Sequence, residues 1–170
     1  MDKFELVKML YDVGAVKFGE FVLSSGKKSN VYIDFKKAST KPKILKTFAK
    51  ELISKIDFDF DKIACIELGG VPFAVAVALD LEKDYVIFRK RKKEYGAKEE
   101  FIGEVGSGEK FLVVEDVITT GSSAKSIEDR LKKLGAEVVA FSCAVDREES
   151  SLNPISVLKL SEILKFKERL

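Results

Sequence analysis

Apolar residues recur along the chain with two different periods, and the points where one gives way to the other divide it into elements. Phe4, Val7, Leu10 and Tyr11 fall at helical spacing within residues 3–13, and Gly14 stands where a cap glycine ends a helix. Two extended runs, Phe18 to Leu23 and Asn30 to Phe35, flank Ser24-Ser25-Gly26-Lys27-Lys28-Ser29, whose serine and glycine content suits a hairpin turn. Pro42 can open a helix as its first residue. Beyond it Ile44, Leu45, Phe48, Leu52, Ile53 and Ile56 keep one apolar stripe.

From residue 62 strands and helices alternate: strand Lys62 to Glu67, helix Val71 to Leu81, strands Tyr85 to Arg89 and Lys110 to Glu115, helix Ser122 to Leu134, strand Glu137 to Val145. The unbroken run Phe111-Leu112-Val113-Val114 fits a strand covered on both faces, as in a parallel sheet. Ile155 to Leu160 adds a last strand, and Ser161 is placed to cap a short terminal helix. The fold class expected is α/β, a mainly parallel central sheet flanked by helices, with functional groups at the carboxyl ends of its strands. At 170 residues and 46% hydrophobic content, the chain suits one domain, 1–170, burying roughly 70% of its unfolded surface.

Charge changes the picture little. Thirty Lys and Arg against 28 Asp and Glu leave a net +2, so no global field points to nucleic acid. No apolar run approaches membrane-spanning length, and a cytoplasmic protein is expected. Cys65 and Cys143 each sit in a strand-like apolar run and read as buried thiols. The absence of histidine excludes a Ser-His-Asp triad, His-ligated zinc and a His general base. There is also no glutamine and only two asparagines, Asn30 and Asn153, a balance found in proteins from hot environments.

The strongest chemical signal is V-V-E-D-V-I-T-T-G-S-S, Val113 to Ser123. A strand ending on Glu115 and Asp116 leads through a hydroxyl-rich turn with one glycine into an amphipathic helix. Backbone amides of Thr119, Thr120, Gly121, Ser122 and Ser123 can form a nest for a phosphate monoester, backed by the positive helix end. The two carboxylates, one step earlier, can accept hydrogen bonds from vicinal hydroxyls of a sugar carrying that phosphate. Read from the residues alone, an ordinary strand-to-helix turn also accounts for the pattern. A dinucleotide fingerprint does not fit Gly106-Ser107-Gly108, and Gly26-Lys27-Lys28 does not end a Walker A motif.

The segment resembles the signature of type I phosphoribosyltransferases for phosphoribosyl pyrophosphate (PRPP). Three further segments resemble the orotate branch of that family. Phe21-Val22-Leu23-Ser24-Ser25-Gly26-Lys27-Lys28-Ser29 with Tyr32-Ile33-Asp34 is similar to its hood hairpin. Phe88-Arg89-Lys90-Arg91-Lys92-Lys93-Glu94-Tyr95-Gly96 is similar to its catalytic loop. In Val145-Asp146-Arg147-Glu148-Glu149, Arg147 resembles the family arginine that meets the orotate carboxylate. Glu67-Leu68-Gly69-Gly70-Val71-Pro72 matches the family's pyrophosphate loop, where glycines let amides approach the anion. Ser24 stands where many members carry lysine, which leaves Lys27 and Lys28 as candidate substitutes, and Tyr95 where bacterial members often carry histidine.

The resemblance implies transfer of ribose 5-phosphate from PRPP to orotate. It implies a hood of about 1–35 plus the C-terminal end, over a core of about 40–150. Lys93, Lys90, Asp116 and Glu115 would be catalytic. PRPP would meet these four with Arg89, Tyr95, Val117, Ile118, Thr119, Thr120, Gly121, Ser122, Ser123, Gly69 and Gly70, and orotate would meet Thr119, Arg147, Tyr32 and Ile33. Mg²⁺ is the implied cofactor, held mainly by PRPP rather than by a permanent protein site. A homodimer is implied, with the Arg89 to Gly103 loop acting as a lid in the neighbouring site, and an orotidine 5′-phosphate decarboxylase is a candidate partner. The residues leave two alternatives: a non-catalytic PRPP-binding regulator and a purine phosphoribosyltransferase.

Overall fold

The computed structural model describes residues 1–23, 26–90 and 100–169. Ser24 and Ser25 of the hood turn, and Lys93 and Tyr95 of the catalytic-loop motif, lie outside the described residues. The chain opens with helix α1 (Lys3–Asp12), which buries Leu6, Val7 and Leu10, and continues into an antiparallel hairpin of β1 (Val16–Val22) and β2 (Lys28–Ile33). Short helix α2 (Phe35–Ser39) and α3 (Pro42–Ile53) follow. The second strand therefore stops before Phe35. That ring instead packs against Phe48 and Phe73, at centroid distances of 5.0 and 5.4 Å, and is fully buried.

The central sheet is built from β3 (Lys62–Ile66), β4 (Tyr85–Phe88), β5 (Phe101–Ile102), β6 (Lys110–Ile118), β7 (Glu137–Asp146) and β8 (Ile155–Lys159). Its order is β5-β4-β3-β6-β7-β8, parallel throughout except for the β4–β5 pair. Helix α4 (Val71–Leu81) connects β3 to β4, and α5 (Ser122–Lys133) connects β6 to β7. The α/β class with a mainly parallel sheet is thus observed.

Strand alternation divides the core in two. Leu112 and Val114 join a cluster with α1, α3, α4 and the hairpin residues Val16 and Val31, whereas Phe111 and Val113 join Ala124, Ile127 and Leu131 of α5 on the other face. Both cysteines are buried free thiols. Burial pushes the Cys65 thiol up to about 12 and raises Cys143 as well.

Several boundaries differ from the sequence reading. Strand β6 continues past the carboxylates to Ile118, because Val117 and Ile118 still find partners in Val145 and Asp146 of β7. Glu115 and Asp116 therefore lie inside the strand and not at its end. Strand β5 was not expected, since the sequence around it reads as charged loop. Phe101 packs on Phe88 at 5.4 Å and pairs with it in the ladder, so the loop after β4 closes at Glu100. Helix α6 (Leu160–Lys165) begins one residue before Ser161. Its cap is Lys159, whose N–H donates to Glu162, while Ser161 donates through its N–H and hydroxyl to Glu148.

Candidate active site

The carboxyl ends of β6 and β7, with Lys90 just after β4, face the hairpin across a cleft of about 680 Å³. Val22, Leu23, Tyr32, Ile33 and Lys36 line it on the hood side. Lys90, Arg147 and an unbroken run from Glu115 to Ala124 line it on the sheet side.

The carboxylate pair is held at a cost. Glu115 is 5% exposed, and its Oε1 has no hydrogen-bond partner among the described residues. Burial, with the neighbouring Asp116 carboxylate adding to it and Lys90 opposing it, pushes the Glu115 carboxyl up to about 8. Asp116 is also raised, by burial first, against the Val117 amide and the Lys36 charge. A buried carboxylate oxygen without a partner is expensive, so a strand that carries Glu115 with Asp116 beside it is shaped for a partner that supplies hydrogen bonds.

Glycine 69 shows how closely the β3 loop meets this pair. A Cβ there would lie 2.4 Å from Asp116 Oδ2, so only glycine admits the approach. A Cβ at Gly70 would lie 3.2 to 3.4 Å from Val114 O and from Glu115, a tighter fit than a side chain ordinarily has. Both glycines support the carboxylates and stand outside the residues that line the cleft.

Beyond Ile118 the chain turns through Thr119, Thr120 and Gly121 into α5. Gly121 is the N-cap, at φ +82°, where a Cβ would strike Leu152 Cδ1 at 2.6 Å. A glycine in place of a serine cap leaves no side chain between the cleft and the first amides of α5, which have no partner within the helix. Thr120 and Ser122 add hydroxyls beside them, 3.4 Å apart. The result is an anion-binding concavity.

Arg147 follows β7 directly, with its N–H donating to Ile118 O at 2.9 Å. Its guanidinium is 7% exposed. It donates to Glu149 at 3.2 Å and to the hairpin hydroxyl of Ser29 at 3.3 Å. Lys27, in the hairpin turn, pairs with the same Glu149 at 3.6 Å. One planar cation thus sits where the hood meets the sheet, which suits recognition of a carboxylate.

Of the residues expected from the sequence, Tyr32, Ile33, Lys90, Glu115, Asp116, Val117, Ile118, Thr119, Thr120, Gly121, Ser122, Ser123 and Arg147 are brought together in the cleft. Arg89 is not. It lines a neighbouring hollow of about 810 Å³ beside α5 together with Lys90, and of the two only Lys90 also lines the cleft with the acids. Lys36 was missed. It pairs with Asp34 at 3.2 Å; burial disfavours its charge, but Asp34 and then Asp116 hold its pKa above the ordinary value. Its place just after Tyr32-Ile33-Asp34 was the available signal.

Among the described residues, no group of three or more His, Cys, Asp or Glu side chains gathers to hold a metal ion. The acid pair, with one oxygen unpartnered, suits a hard cation that brings most of its own oxygen ligands. No helix of the described residues is long and apolar enough to cross a membrane.

Comparison with known proteins agrees with this geometry. The phosphoribosyl transferase domain model matches residues 37–168. Orotate phosphoribosyltransferase of Archaeoglobus fulgidus is 58% identical over 160 residues, covering 94% of this chain and 90% of that protein. The crystal structure of orotate phosphoribosyltransferase from Aeropyrum pernix superposes with a TM-score of 0.85 at 30% identity, covering 97% of this chain and 99% of that one. The Mycobacterium tuberculosis H37Rv orotate phosphoribosyltransferase in complex with PRPP superposes with a TM-score of 0.74 at 26% identity, covering 96% and 99%.

Proposed function

The chain belongs to the phosphoribosyltransferase family, and from that premise we propose that it transfers ribose 5-phosphate from PRPP to orotate in this cleft. The products are orotidine 5′-phosphate and pyrophosphate, in the de novo route to UMP. The observation that carries this reading is the convergence of a phosphate nest, the Glu115 and Asp116 pair and a hood-facing arginine on one cleft.

The reaction breaks the bond from the anomeric carbon to pyrophosphate as the ring nitrogen of orotate attacks. Charge develops on the sugar and on the leaving group, so the protein's work is positional and electrostatic. The nest from Thr119 to Ser123 binds the 5-phosphate. Glu115 and Asp116 accept from the ribose hydroxyls, and such a donor supplies the partner that Glu115 Oε1 lacks among the described residues. Lys90, with Lys93 and Tyr95, meets the pyrophosphate, and Gly69 and Gly70 hold the acid pair beside it. Arg147, Thr119, Tyr32 and Ile33 orient orotate, with Arg147 on its carboxylate. Mg²⁺, held mainly by PRPP oxygens and water, would neutralise the leaving group.

The protein works as a homodimer in the cytoplasm, its lid reaching the neighbouring site. An orotidine 5′-phosphate decarboxylase, which acts on the product, is its candidate partner. Complementation tests the shared site: Lys93→Ala mixed with Arg147→Ala regains activity if the two residues come from different chains, and no recovery after verified subunit exchange refutes it.

Pyrophosphate release with PRPP and Mg²⁺ is the direct assay, offering orotate, uracil, adenine and hypoxanthine in turn. Release with orotate alone is expected. Release with a purine would move the protein to another branch of the family, and PRPP binding without release would make it a regulator.

A further inference from the structure

Arg130 belongs to no motif that the sequence singled out, yet its guanidinium joins two parts of the machinery. It projects from the last turns of α5, whose first turn borders the phosphate nest. Eight residues of helix separate the two, a span of about 12 Å. One guanidinium nitrogen donates to the carbonyl of Arg89 at 2.8 Å and another to the carbonyl of Glu100 at 2.7 Å. Those carbonyls stand on either side of residues 91–99. The Arg89 N–H closes the same neck by donating to Glu100 O at 3.0 Å.

The guanidinium carbon also lies 4.6 Å from the centroid of Phe88, the ring on which Phe101 packs. With its side chain 19% exposed, Arg130 has exchanged most of its hydration for two carbonyls and an aromatic face. The neck is held from the opposite side too, since the Lys90 N–H donates to the Glu67 carboxylate at 2.8 Å. Glu67 opens the glycine loop that packs against the acid pair.

We infer that Arg130 is a positioning residue for the transfer reaction. Its rigid fork sets the distance between the Arg89 and Glu100 carbonyls and fixes both to α5. Lys90, one residue beyond the clamped carbonyl, thereby meets the pyrophosphate at a set distance from the bound 5-phosphate. Arg130 itself touches no substrate. The inference rests on the reading of Lys90 as a ligand of pyrophosphate, and a displacement of about 1 Å in such a group can cost on the order of a hundredfold in rate.

The test compares wild type, Arg130→Ala and Arg130→Lys by pyrophosphate release across PRPP and orotate concentrations. Thermal midpoints and hydrogen exchange at the Arg89 amide are measured alongside. The alanine variant is expected to lose about tenfold or more in kcat, with an unchanged KM for orotate and faster exchange at Arg89. Lysine supplies a point charge without the planar fork, so it restores only part of kcat. A kcat within about twofold of wild type in the alanine variant overturns the inference. Full activity of the lysine variant, with Arg89 protection intact, overturns it too, since packing alone would then suffice. If the alanine variant does not fold, the lysine variant decides: a lowered kcat at an unchanged thermal midpoint supports the clamp, and a wild-type kcat refutes it. An inactive wild type overturns the functional reading and the inference together, whereas an active wild type beside unaffected variants overturns the inference alone.

Discussion

The two walls of the cleft are built by opposite means. On the sheet side, β6 is hydrogen-bonded to β3 and β7, and Phe111 to Val114 are fully buried. On the hood side, a two-stranded hairpin buries only Val16 and Val31 of its strands, and Val22 remains 73% exposed. A two-stranded ribbon has little stability of its own. The wall proposed to receive the sugar phosphate is therefore preorganised before substrate arrives. The hood wall, proposed to cover the base, is tied down by few contacts, including Arg147 to Ser29 and Lys27 to Glu149. Chemistry that must stabilise developing charge belongs on the rigid wall, and a cover that must admit and release substrate belongs on the lighter one.

The sharpest test of that contrast removes the rigid wall's chemistry while leaving its scaffold. Glu115→Gln with Asp116→Asn should lower kcat/KM for PRPP by about a thousandfold or more, at an undiminished thermal midpoint, because the apolar strand before the pair is untouched. Normal PRPP binding by calorimetry would refute the carboxylate role. At the joint between the walls, Arg147→Ala should raise KM for orotate roughly thirtyfold, about 2 kcal/mol, and leave PRPP affinity nearly unchanged. Equal loss of both affinities would mean that Arg147 serves the fold and not the base.

The strain in the rigid wall has a pH signature. The Glu115 carboxyl is pushed from 4.5 to about 8 in the folded protein, so between those values the folded state binds more protons than the unfolded one. Its stabilising contribution is fully present below 4.5 and is lost as pH rises toward 8. Glu115→Gln should flatten that decline and be the more stable protein above pH 8, by up to a few kcal/mol. Parallel midpoint-against-pH curves for the two proteins would show that the carboxyl is not buried at such cost. The smallest effect is expected on the hood: Ser29→Ala removes one hydroxyl partner of Arg147 and should change orotate KM by roughly two- to fivefold, with kcat unaltered. A large fall in kcat there would erase the distinction between the walls.

Much of this was legible in the residue pattern because local rules and burial agreed. Helix α4 runs over Val71–Leu81 as its spacing predicts, and Pro42 opens α3 where a proline is tolerated. The run Glu115 to Ser123 carries its chemistry in contiguous residues, so its place in the cleft could be read before any packing was known. Segments whose structure depends on a distant partner were not legible. Strand β6 outruns its apolar stretch because β7 offers ladder partners to Val117 and Ile118. The two residues of β5 form a strand only because β4 lies beside them.

What the sequence determined alone was the α/β alternation, the nest with its two acids, and the presence of a cationic set for an anionic substrate. The tertiary structure decided which cations line the cleft. It turned Lys90 and Lys36 into the cleft, left Arg89 in the neighbouring hollow, and set Arg130 against two carbonyls distant from it in sequence. Contiguous motifs encode backbone shape within a few residues, whereas the partner of a long charged side chain is fixed only when elements far apart along the chain pack together.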